Sequence, residues 1–379
     1  MMIFNTKEIL TCGLNLKMKV KNGEALKVKP KEEENDVEET CSELEELTRR
    51  VGEVEDLPPV SSWIQTGCTI LDFAIANHFP GGIPLGRIVQ TYGGTSTCKT
   101  ILAATILGYA QRAGIDTYYG DIEHTMDPEF ALMYGFDWKK TKKGYPRTLE
   151  EMFDDWIASI IYKDDKKKKL NTDPKVVVTD TVTALPAKIE VEKKMDEQGY
   201  GAYRARQLSL GFRKYIKVLA ETNTSLLLID QARDNISSPF GGEVVTGGRA
   251  PEYYPSVRIH LKHDAKVFNS SQKVIGVWTK FKIVKNKVAP PFREGKFKIL
   301  FDYGLDNIYS SLCHISELQN GIREAMQAKT KIKLWGEEKT IRAWTDHIEE
   351  NGLEKMLEEE LWKVWQEEYK TEKRKPRVW

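Results

Sequence analysis

No stretch of this 379-residue chain is long and apolar enough to span a bilayer. The longest apolar run, near Ile101 to Ala110, is about half of the ~20 residues such a helix needs. The start, Met1-Met2-Ile3-Phe4-Asn5-Thr6-Lys7, lacks a basic region followed by a long apolar core, so no signal peptide is expected. Cysteine is scarce. Cys12, Cys41, Cys68, Cys98 and Cys313 are odd in number, widely spaced and never C-x-x-C. That excludes the usual zinc spacings and points to a reducing compartment. An excess of either charge is also missing: 57 Lys+Arg against 56 Asp+Glu leave a formal net charge of +1. Polyanion binding by bulk charge is disfavoured, so any nucleic-acid site must come from local placement of charge. Neither an internal repeat nor a low-complexity tract is visible. What is present is 40% hydrophobic and 10% aromatic residues, enough to bury a sizeable core. The expectation is a globular cytoplasmic protein with no membrane partner.

Three regions are expected along the chain. Residues 1–56 are charge-rich, with Leu44, Leu47 and Val51 at helical spacing, so one short amphipathic helix over about 39–50 could dock on a neighbouring subunit. Pro58-Pro59 marks a boundary. Over 57–306 strands alternate with helices: strands at 87–92, 117–122, 175–179 and 225–229, helices at about 100–113, 152–162 and 205–222. Short, wholly apolar strands between helices imply an α/β fold with a mostly parallel sheet covered on both faces. After Val274 the pattern becomes β-rich and hairpin-like, and 307–379 reads as a small helical or α+β unit with a basic tail.

The most informative stretch is Gly93-Gly94-Thr95-Ser96-Thr97-Cys98-Lys99-Thr100, followed by Ile101, between a strand and a helix. That context makes a phosphate-binding loop, because backbone N–H groups and the helix N-terminus converge on one anion. Lys99 would meet the β- and γ-phosphates and the Thr100 hydroxyl would ligate Mg²⁺. Cys98 stands where the pattern G-x-x-x-x-G-K-[ST] has its second glycine; its helix-terminal place beside Lys99 favours a thiolate. An ordinary glycine turn followed by a lysine is the bland alternative. Asp180 ends a buried-type strand, as a Mg²⁺-side acid would, or simply starts a turn. Glu123 is placed to activate water or to sit solvated, and Gln231 is an uncharged amide at the same sheet edge.

These pieces, in this order, resemble the RecA recombinase family of bacteria and phages. Gly81 to Arg87, Ile122 to Pro128, Asp180 to Leu185, Asp230 to Arg233, Thr246-Gly247-Gly248 and Val284 to Phe292 are similar to that family's signatures. The resemblance implies a RecA-type P-loop core and a DNA-dependent ATPase that uses ATP and Mg²⁺. Such a protein forms a helical homo-oligomeric filament on single-stranded DNA and exchanges strands with a homologous duplex, aided by single-strand-binding and loader proteins. Residue by residue, it implies that Glu123 activates water, Asp180 lies beside Mg²⁺ and Gln231 senses the nucleotide. Asp127 would contact adenine, Phe130 would pack on its ring, and Lys285 and Lys287 would reach the neighbouring subunit's γ-phosphate.

Two segments would face DNA. Lys188 to Arg206 holds Met195, Gly199, Tyr200, Gly201 and Arg206; Arg233 to Gly248 is expected to be a structureless loop holding Ile236, Phe240, Thr246, Gly247 and Gly248. Arg206 and Arg233 could hold phosphates without reading sequence, and Ile236 matches an apolar wedge between bases. The end, Glu372 to Trp379, is basic where the bacterial family is acidic, so a restraining acidic tail is not carried over. The alternatives are a RecA-fold accessory or mediator that hydrolyses little ATP, and a hexameric helicase. The Lys-Asn-Lys signature and the loop from Arg233 argue against the helicase.

Overall fold

Strands that are apolar at every position need cover on both faces. The computed structural model, which describes residues 57–164, 169–192, 200–234, 243–245, 250–320 and 329–370, supplies it. In chain order the strands are β1 (Trp63–Ile64), β2 (Ile83–Pro84), β3 (Ile88–Gly93), β4 (Asp116–Asp121), β5 (Lys142–Gly144), β6 (Lys175–Asp180) and β7 (Thr224–Asp234). They continue with β8 (Glu243–Val245), β9 (Val257–Phe268), β10 (Val274–Asn286), β11 (Glu294–Leu300), β12 (Gly304–Asp306), β13 (Lys331–Leu334) and β14 (Glu337–Thr340). The helices used below are α1 (Thr69–Ala76), α2 (Lys99–Arg112), α3 (Pro128–Met133), α4 (Ala158–Ile161), α5 (Lys188–Glu192) and α6 (Tyr200–Glu221). After them come α7 (Ala250–Tyr253), α8 (Asn307–Asn320), α9 (Ile341–Asn351) and α10 (Glu354–Glu368).

The main sheet has ten strands in the order β12-β11-β10-β9-β3-β7-β6-β4-β5, with β8 paired to β7. From β9 to β5 every neighbour is parallel, whereas β9 to β12 are antiparallel. The two-residue period divides each central strand between two cores. Val176 and Val178 of β6 join a core with α1 and α2, while Val177 joins one with α6. Leu227 and Ile229 of β7 follow the first pair, Leu226 and Leu228 the second. Trp344, Leu361 and Trp365 from α9 and α10 belong to the same cluster as α1 and α2.

Most expected elements form within a residue or two of their places, the fraying normal at helix and strand ends. Three differences matter. The segment expected as a helix near Met152 is π-helical over Glu151–Ile157 before it becomes α4. The first segment expected to face DNA is partly helical: α5 occupies its start, and α6 begins at Tyr200, so Gly201 and Arg206 lie on a helix. The second is not structureless throughout. β7 runs on to Asp234 and pairs with β8, Ala232 opposite Val245, so Arg233 sits on a β-ribbon. Backbone pairing there satisfies N–H and C=O groups that a free loop would leave to water.

Candidate functional site

The phosphate loop leaves β3 at the C-terminal edge of the parallel strands. Gly93 is the residue the packing there requires: a β-carbon would lie 2.1 Å from the Leu261 carbonyl oxygen of β9. Cys98 adopts φ 65°, ψ 27°, the left-handed conformation that a glycine enters freely and a β-carbon resists by roughly 1–2 kcal/mol. Its half-buried side chain packs against the larger core and also lines the cleft beside the loop. Burial raises the thiol's pKa, against the Thr279 hydrogen bond and the charge of Lys99, and so works against the expected thiolate. Lys99 opens α2 with its ammonium inside the loop, 3.1 Å from the Gly93 carbonyl, 2.7 Å from that of Gly94 and 3.4 Å from Thr97 Oγ1. Burial lowers its pKa, against the pull of Asp180 and Glu123.

Strand register gathers the acids at the same edge. Asp121 of β4 is level with Asp180 of β6, and Gly93 with Gln231 of β7. Asp180 is buried and well supplied with donors: Thr100 Oγ1 at 3.0 Å and Tyr119 OH at 2.9 Å on Oδ2, and Thr181 Oγ1 at 3.1 Å from Oδ1. Desolvation raises its carboxyl pKa and these hydrogen bonds oppose the rise. The Thr181 hydroxyl also lies 2.5 Å from Glu123 Oε1, so one proton is shared between two acids. Glu123 itself is exposed at the mouth of the site. Thr100 and Asp180 thus present hard oxygen donors to one point, which fits Mg²⁺ completed by phosphate oxygens and water. Among the described residues no group of three or more His, Cys, Asp or Glu could hold a metal unaided.

Two clefts flank the loop. One, of ≈ 640 Å³, runs from Ser96–Ile101 past Phe130 and Tyr134 to His263, Lys266 and Phe301. Phe130 therefore lies where a base could follow the phosphates. Asp127 is engaged otherwise: its Oδ1 caps α3, accepting from Glu129 N at 2.7 Å and Phe130 N at 3.0 Å. The other cleft, of ≈ 630 Å³, joins Gly94, Thr95 and Thr97 to Gln231, Arg233, Lys262 and His263.

Lys285 and Lys287 are not brought to this loop. The β10 register sets Lys285 opposite Arg258, and the β9 register sets Arg258 beside Gln90, so both lysines lie toward the far end of β3. There Lys285 Nζ donates to the carbonyls of Glu252 and Tyr253, the first at 3.0 Å. Met195, Gly199, Ile236, Phe240, Thr246, Gly247 and Gly248, the Tyr200 side chain, the helix expected over about 39–50 and the basic tail lie outside the described residues. Sequence reasoning missed Thr181, Tyr119, Tyr134, Lys262 and His263. Only Thr181, beside Asp180, carried a local signal.

A glycine-limited loop between a buried strand and a helix, facing a strand-terminal acid across a parallel sheet, defines a P-loop nucleotide-binding protein of the α/β class. The family model described as the RecA N-terminal domain matches residues 49–306. The chain is 37% identical over 246 residues to Protein RecA of Thermus thermophilus, covering 65% of this chain and 68% of that one. With Protein RecA of Colwellia psychrerythraea it shares 35% over 246 residues (65% and 67%), and with that of Chlamydia trachomatis 36% over 247 (65% and 66%). The chain belongs to the RecA family of DNA recombination and repair proteins.

Proposed function

We propose that this RecA-family chain is a DNA-dependent ATPase that forms filaments on single-stranded DNA and catalyses homologous pairing and strand exchange. The observation that carries the reading is the division of the machinery within one protomer. The phosphate loop, Asp180 and Glu123 converge at one sheet edge, while Lys285 and Lys287 stand toward the other end of β3. Two cations that cannot serve their own loop are suited to the loop of the next copy, which makes hydrolysis a property of the assembly.

In this reading ATP is the substrate and DNA the activator. The loop amides and Lys99 hold the phosphates, with Phe130 beside the base and Asp127 near it. Thr100 and Asp180 would hold Mg²⁺, which supplies charge neutralisation at the β- and γ-phosphates when bound. Glu123 orients and deprotonates the attacking water, steadied by the Thr181 hydroxyl. Gln231 reads the γ-phosphate and passes its presence along β7 to Arg233 and the β-ribbon that faces DNA. Arg206 of α6 and the segments at Met195–Gly201 and Ile236–Gly248 complete the DNA surface. Contacts to phosphates rather than base edges leave the sequence unread, as a homology search demands.

No helix among the described residues is long and apolar enough to cross a membrane. We place the protein in the cytoplasm, with single-strand-binding and loader proteins as partners. The test is ATP turnover with and without single-stranded DNA, followed by joint-molecule formation with a homologous duplex. Turnover indifferent to DNA, or no joint molecules, overturns the reading; DNA binding with negligible turnover would favour an accessory role.

A further inference from the structure

A continuous polar chain, buried at Asp230 and Gln90 and exposed at its far end at Glu252, runs from the nucleotide edge of the sheet to the seat of Lys285. It begins at Asp230, fully buried and immediately before Gln231. Asp230 Oδ1 accepts from the backbone N–H of Thr183, in the turn after Asp180, at 3.3 Å. Its Oδ2 accepts from Gln90 Nε2 at 2.6 Å. Gln90, also fully buried, lies on β3 three residues before Gly93, and its Oε1 accepts from Arg258 Nε at 2.7 Å. The Arg258 guanidinium lies 4.8 Å over the Tyr92 ring and reaches Glu252 Oε1 at 3.5 Å. Glu252 belongs to α7, and Lys285 Nζ is seated on the carbonyls of Glu252 and Tyr253.

The polarity of this chain is fixed. A carboxylate only accepts, a guanidinium only donates, and an amide between them must turn its NH₂ to the first and its oxygen to the second. No solvent reaches Gln90 or Asp230 to replace a lost partner, so a break strands a buried carboxylate and a buried amide. A displacement of β7 at Asp230–Gln231 is therefore followed by Gln90 and Arg258, and through Glu252 by the lysine seat.

We propose that Gln90 and Arg258 are positioning residues that couple the nucleotide state read at Gln231 to the presentation of Lys285 and Lys287 to the next subunit. This rests on the functional reading above, in which those lysines act across the subunit interface. It makes the chain a path by which one protomer's nucleotide sets the catalytic competence of its neighbour's site.

The experiment compares three variants of the full-length protein: Arg258→Met, Gln90→Glu, and Gln90→Glu combined with Asp230→Asn. Methionine keeps apolar bulk over Tyr92 and removes both charged contacts. Gln90→Glu alone sets two carboxylates against each other. Adding Asp230→Asn moves the carboxylate one place along the chain. In that double variant the carboxylate at position 90 accepts from the amide at position 230 on one side and from Arg258 on the other, so the polarity is whole again. Two readouts are needed: a fluorescent ATP analogue titrated onto protomers without DNA, and the ATP dependence of turnover on single-stranded DNA.

Both single variants are expected to lower turnover on DNA about tenfold and bring its Hill coefficient toward 1, with protomer nucleotide affinity held within about twofold. The double variant is expected to restore cooperativity. Unchanged cooperativity in the single variants, a loss already present in protomer nucleotide binding, or a double variant no better than Gln90→Glu each overturns the coupling. Should Arg258→Met fail to fold, the comparison of Gln90→Glu with the double variant decides alone. A wild-type protein whose turnover ignores DNA brings down the functional reading, and the coupling with it, and is recognised before any variant is compared.

Discussion

Glu123 and Asp180 share one threonine hydroxyl yet differ in surroundings, since Asp180 is buried among three donors and Glu123 is exposed. That difference suits the two roles proposed for them, a metal-side acid and a base that must meet water. Glu123→Gln keeps the shape and the Thr181 contact but removes the base. It is expected to retain ATP-dependent DNA binding while turnover falls by about 10²-fold or more, measured as phosphate release beside DNA anisotropy. Turnover at the wild-type rate would make the acid structural. Cys98 makes the opposite case, a residue whose departure from the family pattern the fold absorbs. Its left-handed backbone is one that glycine prefers, and its side chain packs partly against the core. Cys98→Gly is therefore expected to keep turnover within about tenfold. The same burial keeps the thiol protonated, so maleimide labelling of Cys98, mapped by mass, is expected to be slow at neutral pH and to speed up only in alkali.

At the scale of elements, α1 shows how the core is joined to the C-terminal helices. All eight of its residues are buried, and one of them is Asp72. Such a helix cannot leave a carboxyl unpaired. Asp72 Oδ1 accepts from Thr66 N at 2.8 Å, and Thr69 reaches Glu358 of α10 at 3.4 Å. Burial pushes the Asp72 carboxyl up to about 8, and the nearby Glu358 charge adds to the rise. The folded state thus holds a proton that the unfolded chain releases above the ordinary value of 3.8, so this group's stabilisation is lost as pH rises toward 8. Asp72→Asn keeps an acceptor for Thr66 without the ionisation cost. It is expected to raise Tm by a few degrees at neutral pH and to converge with wild type below about pH 4, in thermal melts across that range.

Across the whole molecule, the ten-stranded sheet sets apart the two groups of residues that the proposed function joins between neighbouring copies. Its parallel strands carry the phosphate loop and acids at one edge, and the antiparallel extension carries Lys285 and Lys287 elsewhere. Lys285→Ala or Lys287→Ala is expected to suppress cooperative turnover on DNA by about tenfold or more while nucleotide binding by protomers stays intact. A loss already visible in protomer binding would mean that the lysines act within one subunit. In the same reading, Lys285 is expected to give assembly a pH dependence. Burial, with the charges of Lys287 and Arg258, lowers its pKa to about 8. A neighbouring phosphate favours the ammonium, so assembly takes up protons and weakens as pH rises above 8. Sedimentation with ATP on either side of that pH checks it, and Lys285→Arg, charged throughout, is expected to flatten the profile.

What the sequence determined by itself is local. The glycines and Lys99 of the phosphate loop, the apolar runs of β6 and β7 and the acid that ends β6 are written in consecutive residues, because a turn or a doubly covered strand is specified over a few positions. The ends of the two segments proposed to face DNA were less legible, since α6 and the β7–β8 ribbon draw their stability from pairing and packing rather than from their own polar composition. Tertiary structure alone decided which groups meet. Gln90 finds Asp230 across 140 residues and Arg258 across 168, and Tyr119 finds Asp180 across 61. It also decided that Lys285 and Lys287 stand away from the loop in their own protomer. Strand order and register set those distances, and both are properties of the assembled sheet that no short stretch of sequence carries.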